Sequence, residues 1–197
     1  MPHPPIVLAS TSPYRRALLE RLGLPFHTSA PLVDESRHPG ESPTALVTRL
    51  ARSKAQAVAG LYPRALIVGS DQVAVIEGDI LGKPGDREQA IAQLTRASGK
   101  SVVFYTGLCL LNAATGRAWV ICEPYEVRFR HLTDGQIAGY VERERPFDCA
   151  GSFKSEGLGI ALFERLSGDD PNALIGLPLI RLVGMLQAEG LDVLSVP

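Results

Sequence analysis

The residues whose chemistry stands out first are two arginines at the start of a predicted helix. Ser12 is a suitable N-cap, Pro13 suits the first helical position, and Arg15 and Arg16 follow in the first turn. A helix N-terminus already carries about half a positive charge and unpaired N–H groups. Two arginines there reduce stability unless something negative offsets them. The pattern therefore predicts a bound phosphate at this helix.

Lys54 is a second charged residue in an unexpected place. At 100° per residue, Leu46, Leu50, Val58 and Leu61 form one face of a long helix, and Lys54 falls in its middle. Such a lysine either extends past the edge of the core or has a buried anionic partner. The arginines near the N-terminus favour the second interpretation, with an anion bound nearby.

Asp71 follows a strongly apolar predicted strand, residues 66–69. Groups just beyond the carboxyl end of a strand line the ligand crevice of α/β sheets. A carboxylate there can bind a divalent cation or act as a general base on water. A turn-forming aspartate is the structural alternative. Because apolar residues resume at Val73, the sequence favours a functional Asp71.

Four further charged residues lie in predicted loops. Glu35 is by default a solvated acid, whereas Lys83 lies between a glycine and a proline that restrict the backbone around it. Lys154 and Glu156 lie in a glycine-punctuated loop, residues 151–159, where the backbone can approach a ligand closely. There, Lys154 is a candidate for contacting a phosphate and Glu156 for contacting a base.

The elements that must position these residues alternate between strand and helix early in the chain and become antiparallel in the middle. We expect a single α/β domain over residues 1–197, with a mixed, twisted sheet flanked by helices and a central substrate cleft between two lobes. The predicted strands are 6–9, 25–30, 65–69, 73–76, 101–112 and 119–130, and residues 73–76 either continue the strand at 65–69 or pair with it. The predicted helices are 13–22, 42–61, 86–96, 133–143 and 177–188.

Composition narrows the function classes. A net charge of −1 over 197 residues argues against nucleic-acid binding through a broad basic surface. The three cysteines lack the spacing of a zinc site or a disulfide framework. No segment approaches the roughly 20 apolar residues of a membrane span, and no basic targeting segment precedes the first strand. We therefore expect a cytoplasmic protein that binds neither nucleic acid nor membrane.

Six short motifs, taken together and in order, resemble the Maf family of nucleoside triphosphate pyrophosphatases. They are Ser10-x-Ser12-x-x-Arg15-Arg16, Asp34-Glu35, Lys54, Ser70-Asp71, Gly82-Lys83-Pro84 and Thr106-Gly107. The resemblance continues to residues 172–178 near the end of the chain. Six motifs in the right order are far more specific than any one of them.

Within that family the chain is similar to the YceF branch, which hydrolyses 7-methyl-GTP to the monophosphate and pyrophosphate. The dTTP- and UTP-hydrolysing branch carries Arg, Thr and Gln where this chain has Tyr14, Gln72 and Glu156. A 7-methylated guanine is cationic, and the face of Tyr14 would attract it by about 0.5–2 kcal/mol. Glu156 would accept hydrogen bonds from guanine N1–H and its amino group, and Gln72 would contact base or ribose.

The resemblance also implies a mechanism in which water attacks the α-phosphorus. Asp71 would be the general base, and Glu35 and Asp71 would share a divalent cation, Mg²⁺ or Mn²⁺. The triphosphate would be held by cationic and hydroxyl side chains: Ser10, Arg15, Lys54, Lys83 and Lys154.

Other functions remain open from the sequence. One is a dTTP- and UTP-type or broadly specific nucleotide pyrophosphatase. Another is a regulatory module that binds a nucleotide without hydrolysing it. Family members are often dimers, so the resemblance also implies a homodimer.

Overall fold

A mixed β-sheet runs through the computed structural model, which describes residues 3–195. Seven strands make up the sheet within that range: β1 (Ile6–Ala9), β2 (Phe26–Ser29), β3 (Leu66–Ile76), β4 (Asp79–Leu81), β5 (Ser101–Asn112), β6 (Ala118–Phe129) and β7 (Phe163–Ser167). Their order is β2-β1-β3-β5-β6-β7, and β4 pairs with β3 outside this path. Strand β1 is parallel to β2 and β3, whereas the other pairs are antiparallel. The expected mixed α/β fold is confirmed.

Helices cover both faces of the sheet. They are α1 (Pro13–Glu20), α2 (Pro43–Ala59), α3 (Arg87–Ala97), α4 (Asp134–Glu144), α5 (Pro171–Ile175) and α6 (Leu179–Ala188). Apolar side chains of α1 and α6 pack with Ile6 and Leu8 of β1, whereas α2 packs with the alternate residues Val7 and Ala9. Since successive strand residues face opposite sides, α2 lies on the other face from α1 and α6. No helix in residues 3–195 is long and apolar enough to cross a membrane.

Strand β3 joins two predicted segments. Residues 73–76 were expected either to continue the strand at 65–69 or to pair with it, and β3 continues through Asp71 to Ile76. The reason is that the antiparallel strand β5 pairs with β3 from Leu66 to Val75, including Asp71 opposite Gly107. Pairing with the parallel strand β1 stops at Val68. Asp71 therefore still lies beyond the carboxyl end of the parallel neighbour, although not beyond the end of its own strand.

Three short elements were not predicted, namely β4, β7 and α5. Strand β4 has three residues, and β7 carries two adjacent exposed charged residues, Glu164 and Arg165, so neither has a strong apolar pattern. Helix α5 has five residues and begins after the buried N-cap Asp170. Helix α6 begins at Leu179 rather than at position 177, and α1 ends at Glu20 rather than at 22.

Two glycines allow α2 to pack very closely against the sheet. A Cβ atom on Gly69 would overlap the carbonyl oxygen of Ala51, and one on Gly107 would overlap that of Val47. Only a residue without a side chain permits the α2 backbone to approach at these points. Lys54 follows Ala51 by about one helical turn, so this packing sets how closely Lys54 approaches β3.

Replacing Gly69 with alanine tests this packing. We expect Gly69→Ala to lower the free energy of unfolding by roughly 3 kcal/mol, because the methyl group meets backbone rather than a movable side chain. Gly139→Ala is the control, since Gly139 lies within α4 with no atom near its Cβ position. That variant should be about 0.5–1 kcal/mol more stable than the parent. Urea unfolding followed by circular dichroism measures both, and equal stabilities would contradict the close packing.

Candidate active site

A cavity of about 550 Å³ opens beside the end of β1. Its lining includes nine of the ten site residues predicted from the sequence: Ser10, Tyr14, Arg15, Glu35, Lys54, Asp71, Gln72, Lys83 and Glu156. They come from the β1–α1 junction, the segment after β2, α2, β3, the loop after β4 and the glycine-punctuated loop. The fold thus gathers residues up to 146 positions apart along the chain.

The Lys54 ammonium joins two carboxylates on one wall of this cavity. Its Nζ donates to Asp71 Oδ1 at 2.7 Å and lies 2.7 Å from Glu35 Oε1. The Lys54 side chain is only 7% exposed. A buried ammonium requires charged partners to compensate for lost hydration. Lys54 therefore has a buried anionic environment and does not extend past the edge of the core.

Asp71 retains one carboxylate oxygen for other chemistry. Oδ1 accepts from Lys54, whereas Oδ2 accepts no hydrogen bond from the described residues. Within residues 3–195, every fully buried side-chain oxygen or nitrogen has a hydrogen-bond partner. Because Oδ2 has none, it is not fully buried, and Asp71 lines the cavity. An ordered carboxylate with one oxygen free can accept a proton from a bound water.

Glu35 is the more exposed partner of Lys54, with 59% of its side chain accessible. Partial burial pushes the pKa of Glu35 up, but the hydrogen bond from Lys54 and the charges of Lys54 and Lys83 push it down more strongly. Its net pKa therefore lies below the ordinary value, and Arg15 contributes in the same direction. Glu35 is ionised at neutral pH.

The two arginines of α1 lie in different surroundings. Arg15 Nε donates to Gly176 O at 2.9 Å, and its side chain lines the cavity. Burial lowers the pKa of Arg15, while the charges of Asp71 and Glu35 oppose that change. Arg16 points elsewhere and pairs with Glu20 at 3.0 Å, one turn along the helix. Of the two arginines, only Arg15 lines the cavity, and the charge of Arg16 is offset by Glu20.

The hydroxyl of Ser10 lies where β1 leads into α1. Ser10 is buried, and its Oγ accepts a hydrogen bond from the Ser12 backbone at 3.1 Å. Ser12 in turn caps α1 by accepting from Arg15 N, as the sequence predicted. Lys83 is an exposed residue of the cavity lining, and its positive charge lowers the pKa of Glu35.

A second group of residues in the cavity lining is aromatic and acidic. Tyr14 and Glu156 belong to it, together with Asp148 and Cys149, which the sequence did not single out. Cys149 Sγ contacts Tyr14 Oη at 4.0 Å and Asp148 Oδ1 at 3.5 Å. Burial raises the pKa of Tyr14, and Cys149 and Asp148 raise it further. The only sequence signal for Asp148 and Cys149 was their position just before the glycine-punctuated loop.

Gln72 lines the cavity, but hydrogen bonds within the fold occupy the nitrogen of its amide. Its Nε2 donates to Ala173 O at 2.7 Å, Leu174 O at 3.1 Å and Thr106 Oγ1 at 2.9 Å. The amide nitrogen therefore attaches α5 to the sheet and is not available to a ligand. Only the oxygen of this amide remains for a base or ribose.

Lys154 is the predicted site residue that the fold does not bring to the cavity. Its Nζ donates to Glu144 O at 3.1 Å, at the C-terminal end of α4, and Lys154 is absent from the cavity lining. A cation is favourable at a helix C-terminus, where carbonyl oxygens are unpaired. The expectation that Lys154 contacts phosphate is therefore not supported by its position.

Comparison with known proteins assigns the chain to a family. A family model described as "Maf-like protein" matches residues 5–189. The chain belongs to the Maf family. It is 61% identical over 189 residues to a protein of Alcanivorax borkumensis named 7-methyl-GTP pyrophosphatase, with 96% of each chain covered. A protein of the same name from Pseudomonas aeruginosa is 59% identical over 96% of this chain and 99% of its own.

Membership of the Maf family confirms the resemblance inferred from the six motifs. A third relative, from Nitrosococcus oceani and also named 7-methyl-GTP pyrophosphatase, is 58% identical over 98% of both chains. The Maf motifs around Ser10, Glu35, Lys54, Asp71 and Lys83 all contribute residues to the same cavity.

The Maf-family cavity offers oxygen donors for a divalent cation. Glu35 and Asp71 approach the same atom, Lys54 Nζ, and carboxylates are preferred ligands of Mg²⁺ and Mn²⁺. In residues 3–195 no group of three or more His, Cys, Asp or Glu side chains is arranged to hold a metal alone. Mg²⁺ commonly takes its other ligands from phosphate and water. The donor set therefore fits a cation bound together with a polyphosphate.

Glu35 makes the stability of this Maf protein depend on pH in a defined direction. Its pKa is lower in the folded chain than the ordinary 4.5, so its ionised form stabilises the folded state above about pH 5. We expect Glu35→Gln to unfold at lower urea concentration than the parent at pH 6. The difference in stability between the two proteins should shrink as the pH falls below 4.5 and then through the pKa of Glu35 in the folded parent. There the Glu35 carboxylate of the parent is also neutral. Urea titrations at several pH values measure it, and a constant difference would contradict ionisation as the cause.

Proposed function

We propose that this chain is a nucleoside triphosphate pyrophosphatase that hydrolyses 7-methyl-GTP to 7-methyl-GMP and pyrophosphate. The observation that carries the proposal is the buried Lys54 between Glu35 and Asp71, in a cavity that also holds Arg15 and Lys83. Three cations beside two carboxylates suit a polyanion bound with a divalent metal. The names of three relatives at 58–61% identity support both the activity and the substrate.

In this proposal the cationic residues of the cavity hold the triphosphate. Arg15, oriented by Gly176 O, and Lys83 would contact phosphate oxygens, and the Ser10 hydroxyl would add a hydrogen bond. Lys54 would approach the transferred phosphoryl group while holding Asp71 in place. These contacts position the α-phosphorus close to Asp71.

Asp71 would act as general base. As a water oxygen attacks the α-phosphorus, Asp71 Oδ2 accepts one of its protons, and the bond from that phosphorus to the bridging oxygen breaks. Pyrophosphate leaves with the bridging oxygen. Glu35 and Asp71 would hold Mg²⁺ or Mn²⁺, which when bound neutralises charge on the phosphates. Arg15 and Lys83 would stabilise the charge that develops on the leaving group.

The aromatic and acidic residues of the cavity lining would hold the base. A guanine methylated at N7 carries a positive charge, which the ring of Tyr14 would attract and the carboxylates of Asp148 and Glu156 would favour. Glu156 would also accept hydrogen bonds from guanine N1–H and its amino group, an arrangement that uracil and thymine do not offer. Gln72 would contribute through its carbonyl oxygen.

We also propose a cytoplasmic location. Cys109, Cys122 and Cys149 are all free thiols, which is the usual state in a reducing compartment. The homodimer implied by the family resemblance stays a prediction.

Pyrophosphate release from a panel of nucleotides tests the activity. With Mg²⁺ or Mn²⁺, we expect kcat/KM for 7-methyl-GTP to exceed that for GTP, dTTP and UTP by about tenfold or more. Asp71→Asn keeps the shape of the side chain but removes the base, and should lower kcat by roughly 10²–10⁴-fold while leaving the fold intact at the assay temperature. Unchanged turnover in that variant would remove Asp71 from the mechanism.

The same panel separates the other functions. If pyrophosphate is released fastest from dTTP or UTP, the chain is a dTTP- and UTP-type pyrophosphatase. Equal rates for all nucleotides would indicate a broadly specific pyrophosphatase. Binding of a triphosphate without release from any nucleotide would indicate a regulatory module.

Glu156→Gln tests base recognition. We expect kcat/KM for 7-methyl-GTP to fall roughly 10–100-fold, because a charged hydrogen-bond acceptor is lost, while UTP hydrolysis stays within about twofold. Glu164→Gln is the control, since Glu164 is exposed on β7 and outside the cavity. An equal loss on both nucleotides would contradict the role of Glu156.

A further inference from the structure

The segment that carries Glu35 has no strand or helix of its own. It spans residues 30–42, between the end of β2 and the start of α2, and most of its residues are exposed. Long segments of this kind are uncommon in compact domains unless they serve a function. Yet Glu35 lies 2.7 Å from Lys54 Nζ, which requires the segment to be held in one position.

One side chain of α2 makes three hydrogen bonds to this segment. Arg49 Nε donates to Glu41 Oε1 at 2.6 Å, and Arg49 Nη2 donates to Glu41 Oε2 at 2.8 Å. Arg49 Nη2 also donates to Ser36 O at 2.9 Å, immediately after Glu35. A single guanidinium thus ties both the end of the segment and the neighbour of Glu35 to the helix that carries Lys54.

Glu41 extends this arrangement within the segment. Its Oε2 also accepts from the His38 backbone at 3.1 Å, and its backbone oxygen accepts from Arg37 Nε and Nη2. Glu41 is enclosed, with 8% of its side chain exposed. The hydrogen bond from Arg49 lowers the pKa of Glu41 to about 2, so this carboxylate stays ionised over the working range of the protein.

Neither Arg49 nor Glu41 lines the cavity, so neither contacts the substrate in the proposed function. We propose that Arg49, through Glu41 and Ser36 O, is the positioning residue that sets Glu35 against Lys54 for cation binding. The inference rests on the proposed function only in the role that it gives to Glu35. Lysine can replace Arg49 only in part, because three hydrogen bonds in a planar fork need the guanidinium.

Arg49→Ala tests this assignment, with Arg52→Ala as the matched control. Arg52 lies on the same helix, is exposed, and makes no hydrogen bond or ion pair within residues 3–195. We expect Arg49→Ala to lower kcat roughly 10–100-fold and to raise the Mg²⁺ concentration for half-maximal activity, because a displaced carboxylate binds the cation poorly. Arg49→Lys, which keeps the charge and most of the packing, should show a smaller loss in the same two quantities. Arg52→Ala should match the parent.

Two further measurements distinguish positioning from a general loss of stability. Trypsin cleavage after Arg37, followed by mass spectrometry, should be faster in Arg49→Ala and unchanged in Arg52→Ala. In a double variant with Glu35→Gln, the Arg49→Ala change should cause little further loss of kcat, because both act on the same carboxylate. Additive losses of kcat, or unchanged cleavage after Arg37, would overturn the proposal. Parent-like activity in Glu35→Gln would instead overturn the role of Glu35 in the proposed function, and the cleavage rate would still decide whether Arg49 holds the segment.

Discussion

The rest of the site depends on one buried ammonium group. Lys54 lies between Asp71 and Glu35 at 2.7 Å from each, and removal of a lysine ammonium from water is unfavourable without such partners. The two carboxylates come from different kinds of structure, a central strand and an extended segment. The Lys54 ammonium that they share therefore links the sheet, α2 and the segment that carries Glu35. A polyphosphate and a divalent cation would bind to a charge arrangement that is already ordered.

That arrangement requires α2 to lie unusually close to the sheet. Gly69 and Gly107 provide the space, because any side chain at either position would meet the α2 backbone. The helix that approaches so closely also carries Arg49, whose guanidinium holds the segment containing Glu35. One helix thus places the ammonium directly and one of its carboxylate partners indirectly.

Much of the site could be predicted from residue types in unusual places. Arg15 at a helix N-terminus, Lys54 on an apolar face and Asp71 in an apolar stretch all indicated an anion or metal site, and all three line the cavity. Arg16 had the same signal, but a local ion pair with Glu20 accounts for it. Lys154 also lay in a suitable loop, yet it pairs with the carbonyl end of α4. Charge alone could not separate these cases.

The sequence by itself determined the caps of α1 and α2, the mixed α/β class, the Maf family and nine of the residues that line the cavity. Those features depend on local hydrogen bonding, on periodicity and on motif order. Only the tertiary structure decided that Asp71 lies within a continuous β3, that the amide nitrogen of Gln72 is occupied by α5, and that Arg49 holds the segment of Glu35. Each of these depends on a partner distant in sequence, and local pattern carries no information on which distant groups meet.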